Sequence, residues 1–146
     1  MKTSNLRLNQ LSPQAFEKYL AYLQALDAKD IAAFGDYLAE GIQVQFNNDP
    51  PMQGKAVVLQ NLGYYWQTFG ALEHELINLL GTDQSHVLEA LNYYQRLDGH
   101  PATVKAVAFT DWNEQGLISS IRIYQDTSPV FAPIASQKSA MQSASV

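Results

Sequence analysis

The chain contains no cysteine. This absence excludes disulfide bonds, thiolate metal ligands and a cysteine nucleophile. The sequence also lacks any run of lysine or arginine, and its 14 acidic and 9 basic residues give a net charge of -5 at pH 7. Because a surface without a basic stripe does not follow a phosphate backbone, we expect no nucleic-acid partner.

Long hydrophobic runs are missing as well. No apolar stretch approaches the ~20 residues that a membrane-spanning helix needs, and residues 1–10 are polar and lack the apolar core of a signal peptide. We therefore expect a cytoplasmic protein that makes no membrane contact. The three histidines, His74, His86 and His100, do not have metal-ligand spacing, so we expect neither a metal site nor a cofactor.

What the chain does have is enough apolar sequence for one folded core. Its 146 residues are 47% hydrophobic, which is the ordinary range for a single globular domain. We place this domain at residues 12–134, after an N-terminal arm at residues 1–11. Residues 135–146 are rich in serine and alanine and are expected to form a flexible tail.

Three helices are predicted in the N-terminal half. Ser12 and Pro13 form a helix-start signal, followed by apolar residues at three-and-four spacing as far as residue 26. Asp30 is placed to cap a second, shorter helix that ends near Gly41. A third helix is predicted from Gly54 to about residue 69.

The remaining elements are predicted to be strands. Alternation over residues 42–46 indicates one strand between the helices. Four more are predicted at residues 74–80, 87–96, 102–112 and 117–125, separated by turn signals. Helices followed by antiparallel strands are typical of an α+β domain rather than of alternating α/β.

Four short strings, together with the order of elements over residues 16–131, resemble the SnoaL-like family of the nuclear transport factor 2 superfamily. The resemblance implies three N-terminal helices packed on a strongly curved, mainly antiparallel sheet that encloses one apolar pocket. The superfamily includes isomerases, hydrolases, cyclases, dehydratases and non-catalytic binders, so the fold alone does not specify a reaction. The strings are Phe46-Asn47-Asn48-Asp49-Pro50-Pro51, Glu73-His74-Glu75, Arg122-Ile123-Tyr124-Gln125-Asp126 and Ser128-Pro129-Val130-Phe131.

The same resemblance implies where related enzymes carry catalytic groups. The general base of ketosteroid isomerase matches Phe46 and its protonated aspartate matches Val107, whereas its oxyanion-hole tyrosine matches Tyr19. The aspartate that SnoaL-type cyclases and limonene epoxide hydrolase carry on the last strand matches Ile123. None of these catalytic sets is complete in this chain.

Turn lengths predict the register of the last three strands. If Asp98-Gly99 is a two-residue hairpin loop, Asn92 lies opposite Lys105, and a three-residue loop at residues 114–116 then places Lys105 opposite Gln125. The resemblance makes this the concave, pocket-lining face. The predicted face comprises Leu88, Ala90, Asn92, Tyr94, Lys105, Val107, Phe109, Ile121, Ile123 and Gln125.

The opposite, convex face is predicted to include Tyr93, Val104, Ala106, Ala108 and Tyr124. This face is half apolar, and in the superfamily it commonly packs against a second subunit. We therefore expect a homodimer that forms through the convex sheet face.

His74 and Tyr19 are the candidate catalytic residues. An imidazole titrates near neutral pH and suits proton transfer, and the alternative is a strand histidine bonded to a backbone carbonyl. The Tyr19 hydroxyl could donate to a ligand carbonyl, and the alternative is a ring that fills the core. Asp49 is either a carboxylate at the pocket mouth or part of a turn.

Lys105, Asn92 and Gln125 are predicted to form a polar cluster that orients a ligand on an otherwise apolar wall. The alternative for Lys105 is that its side chain reaches water at the rim of the sheet. The other predicted ligand-binding residues are Trp66, Tyr94, Val107, Phe109, Ile121 and Ile123.

Two functions are consistent with these features. In the first, the protein is an acid–base isomerase, cyclase or hydrolase that acts on an apolar small molecule. In the second, it binds a hydrophobic small molecule without catalysis or serves as a dimeric accessory module.

Overall fold

The computed structural model describes residues 1–133, and its first two helices begin where the sequence predicts. Ser12 Oγ accepts a hydrogen bond from Ala15 N (3.2 Å), and Asp30 Oδ1 accepts one from Ala33 N (3.0 Å). The predicted tail, residues 135–146, lies outside the described residues. The helices are α1 (Pro13–Asp27), α2 (Ile31–Gly35), α3 (Lys55–Tyr65) and α4 (Ser128–Phe131).

Two helix ends differ from the prediction. α2 ends at Gly35 rather than near Gly41, because the chain enters a strand at Leu38. α3 ends at Tyr65 and continues as a 3₁₀ turn, Trp66–Thr68. No helix within residues 1–133 is both long enough and apolar enough to cross a membrane.

Lys29 closes the turn after α1 in a left-handed backbone conformation, with φ of 53°. Glycine is the usual residue at such a helix end, because a side chain is strained there. The Lys29 side chain offsets this strain, since Nζ donates to the carbonyl oxygens of Trp66 (2.7 Å), Phe69 (2.8 Å) and Gly70 (3.1 Å). The end of α1 is thereby fixed to the segment that follows α3.

Seven strands form one mixed sheet. They are β1 (Leu8–Asn9), β2 (Leu38–Phe46), β3 (Met52–Gln53), β4 (Ala71–Gly81), β5 (Ser85–Gln95), β6 (Pro101–Trp112) and β7 (Ile118–Gln125). Their order across the sheet is β1-β4-β5-β6-β7-β2-β3. β4 to β7 are antiparallel neighbours, whereas β1 pairs with β4 and β2 pairs with β7 in parallel.

Bulges bend this sheet around the helices. Register shifts interrupt β4 between Leu76 and Asn78, β2 between Leu38 and Gln43, and β7 between Ile118 and Ser120, opposite Asp111 and Trp112 of β6. A bulge bends its strand and increases the local twist, so three bulges in one sheet produce strong curvature. The α+β architecture with a curved sheet confirms the predicted fold class.

The N-terminal arm contributes a short strand that the sequence did not indicate. β1 pairs with β4 at Leu8↔Asn78 and Asn9↔Leu79, and Lys2 N donates to His74 O (2.7 Å). The arm therefore lies along the β4 edge of the sheet and covers it.

The predicted register between β5 and β6 is wrong by one residue. Gln95 pairs with Pro101, and Arg96 N donates to His100 O (2.9 Å), so the hairpin loop has three residues rather than two. Gly99 supplies the left-handed conformation in this loop, with φ of 85°. Asn92 consequently lies opposite Val104 rather than opposite Lys105.

The register between β6 and β7 also differs, for another reason. The three-residue loop that ends at Gly116 is present, and Asn113 N donates to Leu117 O (2.7 Å) as expected. The bulge opposite Asp111 and Trp112 then offsets the rest of the strand, so that Ile123 pairs with Ala108 rather than with Val107.

Both differences have the same effect on β6. Because side chains alternate between faces, a shift of one residue exchanges the two faces of a strand. Lys105, Val107 and Phe109 therefore lie on the outer face, which corrects their predicted place in the pocket. The pocket face of β6 instead carries Val104, Ala106, Ala108 and Thr110, three of which were expected on the outer face or its rim.

Two neighbouring positions on β6 provide a test of this register. Val104 is buried and Lys105 is exposed, so we expect Val104→Asp to lower the free energy of unfolding by at least about 3 kcal/mol through an unpaired buried charge. Lys105→Asp introduces the same side chain on the outer face, where the expected change is within about 1 kcal/mol. Urea denaturation of both variants is the measurement, and a larger loss for Lys105→Asp would contradict the observed register.

Candidate functional site

Two connected cavities lie between the concave face of the sheet and the helices α1 and α3. The inner chamber, bounded by the concave face of β4 to β7, has a volume of about 80 Å³. The outer chamber, on the side of β2 and α3, has a volume of about 310 Å³. Their walls share seven apolar or aromatic residues, so together they form one cleft: Tyr22, Leu26, Phe46, Leu62, Tyr65, Ile121 and Ile123.

The inner chamber is lined by the imidazole of His74, which is paired with Asp27. His74 lies on β4, and Asp27 is the last residue of α1. Nδ1 of the imidazole is 2.5 Å from Asp27 Oδ1, and the backbone N of His74 donates to Asp27 Oδ2 (3.1 Å). The Met1 amino group is also 3.1 Å from Oδ2. Asp27 therefore holds both the backbone and the ring of His74.

The contact with Asp27 determines which ring nitrogen of a neutral His74 carries the proton. Burial alone would raise the pKa of the Asp27 carboxyl, but the hydrogen bonds and charge of His74 outweigh it and hold that pKa below its usual value. An ionised Asp27 accepts the Nδ1 proton, so the lone pair of a neutral His74 is on Nε2. Among the described residues, Nε2 forms no hydrogen bond, and the ring is held through Nδ1. The inner chamber thus contains one oriented imidazole that can accept a proton.

A chain of polar side chains runs across the opposite part of the inner chamber. Asn92 Nδ2 donates to Gln125 Oε1 (3.1 Å), and Gln125 Nε2 donates to Tyr94 Oη (3.5 Å). The hydroxyls of Tyr94 and Tyr65 are 3.3 Å apart. Burial raises the pKa of both tyrosines, so they keep their protons and remain hydrogen-bond donors at neutral pH.

Asn47 fixes the end of β7 that carries Gln125. Its Nδ2 donates to Gln125 O (2.7 Å), and its Oδ1 accepts from Gln125 N (2.9 Å). The left-handed backbone of Asn47, with φ of 48°, turns its amide toward β7. Asn47 and Asp49 both line the outer chamber, so the turn after β2 forms part of the cleft mouth.

Tyr19 is part of the core and of the chamber wall. It is 1% exposed, with its ring 5.6 Å from that of Tyr22 and 4.6 Å from that of His86. Burial raises the pKa of its hydroxyl, and a hydrogen bond with Thr110 lowers it only in part. The hydroxyl stays protonated, which leaves Tyr19 able to donate and unable to act as a base near neutral pH.

Eight of the predicted site residues line the inner chamber. They are Tyr19, Trp66, His74, Asn92, Tyr94, Ile121, Ile123 and Gln125. The other three, Lys105, Val107 and Phe109, lie on the outer face, where the guanidinium carbon of Arg122 is 4.7 Å from the centre of the Phe109 ring. The predicted polar cluster therefore contains Asn92 and Gln125 without the lysine, and Tyr94 and Tyr65 extend it.

Asp27 is the site residue that sequence reasoning missed. The sequence does contain an indication of its role. A carboxylate in the last turn of a helix is destabilised by the negative end of the helix dipole. Such a residue needs a compensating partner elsewhere in the chain. The partner is 47 residues away on β4, which no local pattern reveals.

Within residues 1–133, no three histidine, aspartate or glutamate side chains come close enough together to hold a metal ion. The ionisable pair of the site is used internally, since Asp27 and His74 bind each other.

Comparisons with known proteins agree with this architecture. The model of the SnoaL-like domain family matches residues 19–121. A protein from Shewanella denitrificans OS-217 called a SnoaL-like polyketide cyclase superposes with a TM-score of 0.72 at 11% identity, covering 88% of this chain and 99% of that chain. A comparison with curated proteins found no match.

Two further structures show the same fold. An LEH-like epoxide hydrolase of M. tuberculosis has a TM-score of 0.68 at 14% identity, covering 90% of this chain and 96% of that chain. An NTF2-like protein of unknown function from Burkholderia pseudomallei K96243 has a TM-score of 0.73 at 11% identity, covering 83% and 100%. At these identities the likeness concerns the fold alone.

A second buried histidine lies beside the inner chamber. His86 Nε2 accepts a hydrogen bond from Trp112 Nε1 (2.9 Å), so the proton of the neutral ring is on Nδ1, which has no partner among the described residues. Burial lowers the pKa of His86 to about 4, against the opposing charges of Asp111 and Asp83. The folded protein therefore favours the neutral ring.

This burial predicts a dependence of stability on pH. Between pH 6.5 and about 4 the unfolded chain protonates His86 and the folded chain does not, so stability falls as the pH is lowered through this window. The full difference corresponds to about 3 kcal/mol. His86→Gln keeps an acceptor for Trp112 but does not titrate, and we expect its free energy of unfolding to lack this component. Urea denaturation at several pH values is the measurement, and parallel curves for the two proteins would contradict the prediction.

Proposed function

The chain belongs to the SnoaL-like family, and on that premise we propose that it is an acid–base enzyme that acts on an apolar small molecule as an isomerase, cyclase or hydrolase. One observation carries this proposal. The oriented pair of Asp27 and His74 presents an unpartnered Nε2 at the wall of a chamber whose other residues are mostly apolar.

The pair supports proton transfer in two steps. In the first, His74 Nε2 removes a proton from a carbon or oxygen of the substrate, and the ionised Asp27 stabilises the imidazolium that forms. In the second, the imidazolium returns the proton to another atom of the substrate. The Asp27 carboxylate stays ionised throughout, because its role is to fix the ring tautomer and its orientation.

The cleft supports an apolar substrate of limited size. The outer chamber, lined by residues such as Phe34, Val44, Met52 and Leu62, can hold a hydrocarbon body, while the inner chamber has room only for a small head group. Tyr94 and Gln125 supply donors for an oxygen of that head group.

The chemistry we propose differs from that of relatives that use a carboxylate directly. Phe46 and Ile123 stand where two such relatives carry aspartates, and β6 presents Ala106, Ala108 and Thr110, none of them a carboxylate, to the inner chamber. A histidine positioned by a carboxylate takes the place of these acids.

Exchange of a carbon-bound proton tests this function. In D₂O, wild type should accelerate deuterium incorporation next to the carbonyl of 2-tetralone, an apolar cyclic ketone, as followed by proton NMR. His74→Gln and Asp27→Asn should lower this rate by about 100-fold, because the first removes the base and the second its orienting carboxylate. His100→Gln changes an exposed histidine on the turn before β6 and should leave the rate unchanged.

Two results would contradict the catalytic role. Exchange that is equally fast in wild type and His74→Gln would place the base elsewhere. Binding of 2-tetralone without any accelerated exchange would support the second function, a non-catalytic binder of hydrophobic small molecules. That alternative is favoured by the apolar residues at the positions of the relatives' carboxylates.

We also propose that the protein forms a homodimer through the convex sheet face. With β6 in its observed register, this face carries Val107, Phe109 and Tyr124, and Tyr124 is 46% exposed. The rings of Phe109 and Tyr124 pack edge to face with centroids 6.1 Å apart. Aromatic side chains of this kind are enriched at subunit interfaces.

Light scattering coupled to size-exclusion chromatography tests the dimer. Wild type should elute with about twice the chain mass of 16.3 kDa, and Tyr124→Glu should shift the protein toward the monomer because it places a charge in the apolar interface. Tyr64→Glu alters another exposed tyrosine, on α3, and should leave the mass unchanged. A monomeric wild type at 100 µM, or a dimer that persists in Tyr124→Glu, would refute this interface.

A further inference from the structure

Asn92 presents a buried hydrogen-bond acceptor that nothing in the described chain satisfies. The residue is 5% exposed and lines the inner chamber. Its Nδ2 donates to Gln125 Oε1 (3.1 Å), whereas its Oδ1 has no hydrogen-bond partner. Leaving a buried polar atom unpaired is unfavourable, so such an atom on a residue that lines a cavity points to a ligand group that pairs with it.

The orientation of Asn92 follows from its neighbours. Gln125 directs Nε2 toward the hydroxyl of Tyr94, which leaves Oε1 to face Asn92. In this arrangement Asn92 turns its Nδ2 to Gln125 and its Oδ1 away. The polar chain that begins at Tyr65 therefore ends in a free acceptor.

A second acceptor lies beside this one. Asn92 and His74 are direct partners in the register of β4 and β5, so their side chains are neighbours on the same face of the sheet. His74 Nε2 also has no partner among residues 1–133, and it carries a lone pair because Nδ1 donates to Asp27. The inner chamber thus has two neighbouring hydrogen-bond acceptors, Asn92 Oδ1 and His74 Nε2, that have no donor among residues 1–133.

We propose that the substrate is an alcohol or phenol, whose hydroxyl in the inner chamber donates to Asn92 Oδ1 while the adjoining atoms of the molecule lie against His74 Nε2. This inference deepens the proposed function and rests on it for the role of His74. Asn92 is then the residue that selects hydroxylated head groups from ethers and ketones of the same shape. The hydrocarbon part of the substrate extends into the outer chamber.

The test compares three compounds of similar size by isothermal titration calorimetry on wild type. 2-Naphthol carries a hydroxyl donor, 2-methoxynaphthalene has only an ether oxygen, and 2-tetralone has only a carbonyl acceptor. We expect 2-naphthol to bind at least about tenfold more tightly than either of the others, which is the effect of one buried hydrogen bond. Equal affinities would overturn the proposal, and so would tighter binding of 2-tetralone, because the chamber would then favour an acceptor over a hydroxyl donor.

Two variants test whether Asn92 is responsible for the preference for 2-naphthol. Asn92→Leu removes the acceptor, and the ratio of 2-naphthol to ether affinity should fall to about one. Asn78→Leu makes the same change at an asparagine of β4 that lines neither chamber, and it should keep the wild-type ratio. An unchanged ratio in Asn92→Leu would overturn the assignment to Asn92. If Asn92→Leu does not fold, the comparison of the three compounds on wild type remains the test of the proposal.

The acid–base function and the hydroxyl site can be refuted independently of each other. A preference for 2-naphthol without His74-dependent proton exchange would refute the enzymatic function and leave the hydroxyl site in place. Proton exchange without any preference would refute the hydroxyl site and leave the acid–base function in place.

Discussion

The contact between Asp27 and His74 is the interaction on which the arrangement of the cleft depends. It joins the last turn of α1 to β4, and Lys29, two residues further along, binds the carbonyl groups that follow α3. One corner of the molecule therefore fixes both helices and the sheet relative to one another. The His74 imidazole lies at this corner, so its geometry is set by the same contacts that hold the helices in place.

The inner chamber has a cost in stability. Asn92 Oδ1 and, beside the chamber, His86 Nδ1 are buried without partners in the described part of the chain, and Lys29 holds a left-handed conformation that glycine would adopt more readily. The aromatic packing of Tyr19, Tyr22, Phe34 and Trp66 around these groups offsets that cost. Polar groups left unpaired at a cavity wall are typical of sites where binding, rather than folding, determines the residue.

The sequence predicted the elements better than it predicted their pairing. Ser12 and Asp30 mark the helix starts because capping is a local interaction. Alternation grouped the residues that share a face of β5 and of β7, and the family resemblance indicated correctly which face lines the pocket. The faces of β6 were exchanged by a loop one residue longer than expected and by a bulge near Trp112, and neither has a distinctive local pattern. His74 was identified from its chemistry, whereas Asp27 required knowledge of which helix end meets which strand.

Successive side chains of β6 belong to two different surfaces, the wall of the inner chamber and the convex face of the sheet. Ala106 and Ala108 face the inner chamber, and Val107 and Phe109 between them face outward. The depth of the chamber is therefore determined by residues whose neighbours in sequence belong to a different surface. A lineage could change ligand size through one alanine and change its association with partners through the next residue, with neither change constraining the other. A single strand of this kind allows a small fold to acquire new ligands and new assemblies independently.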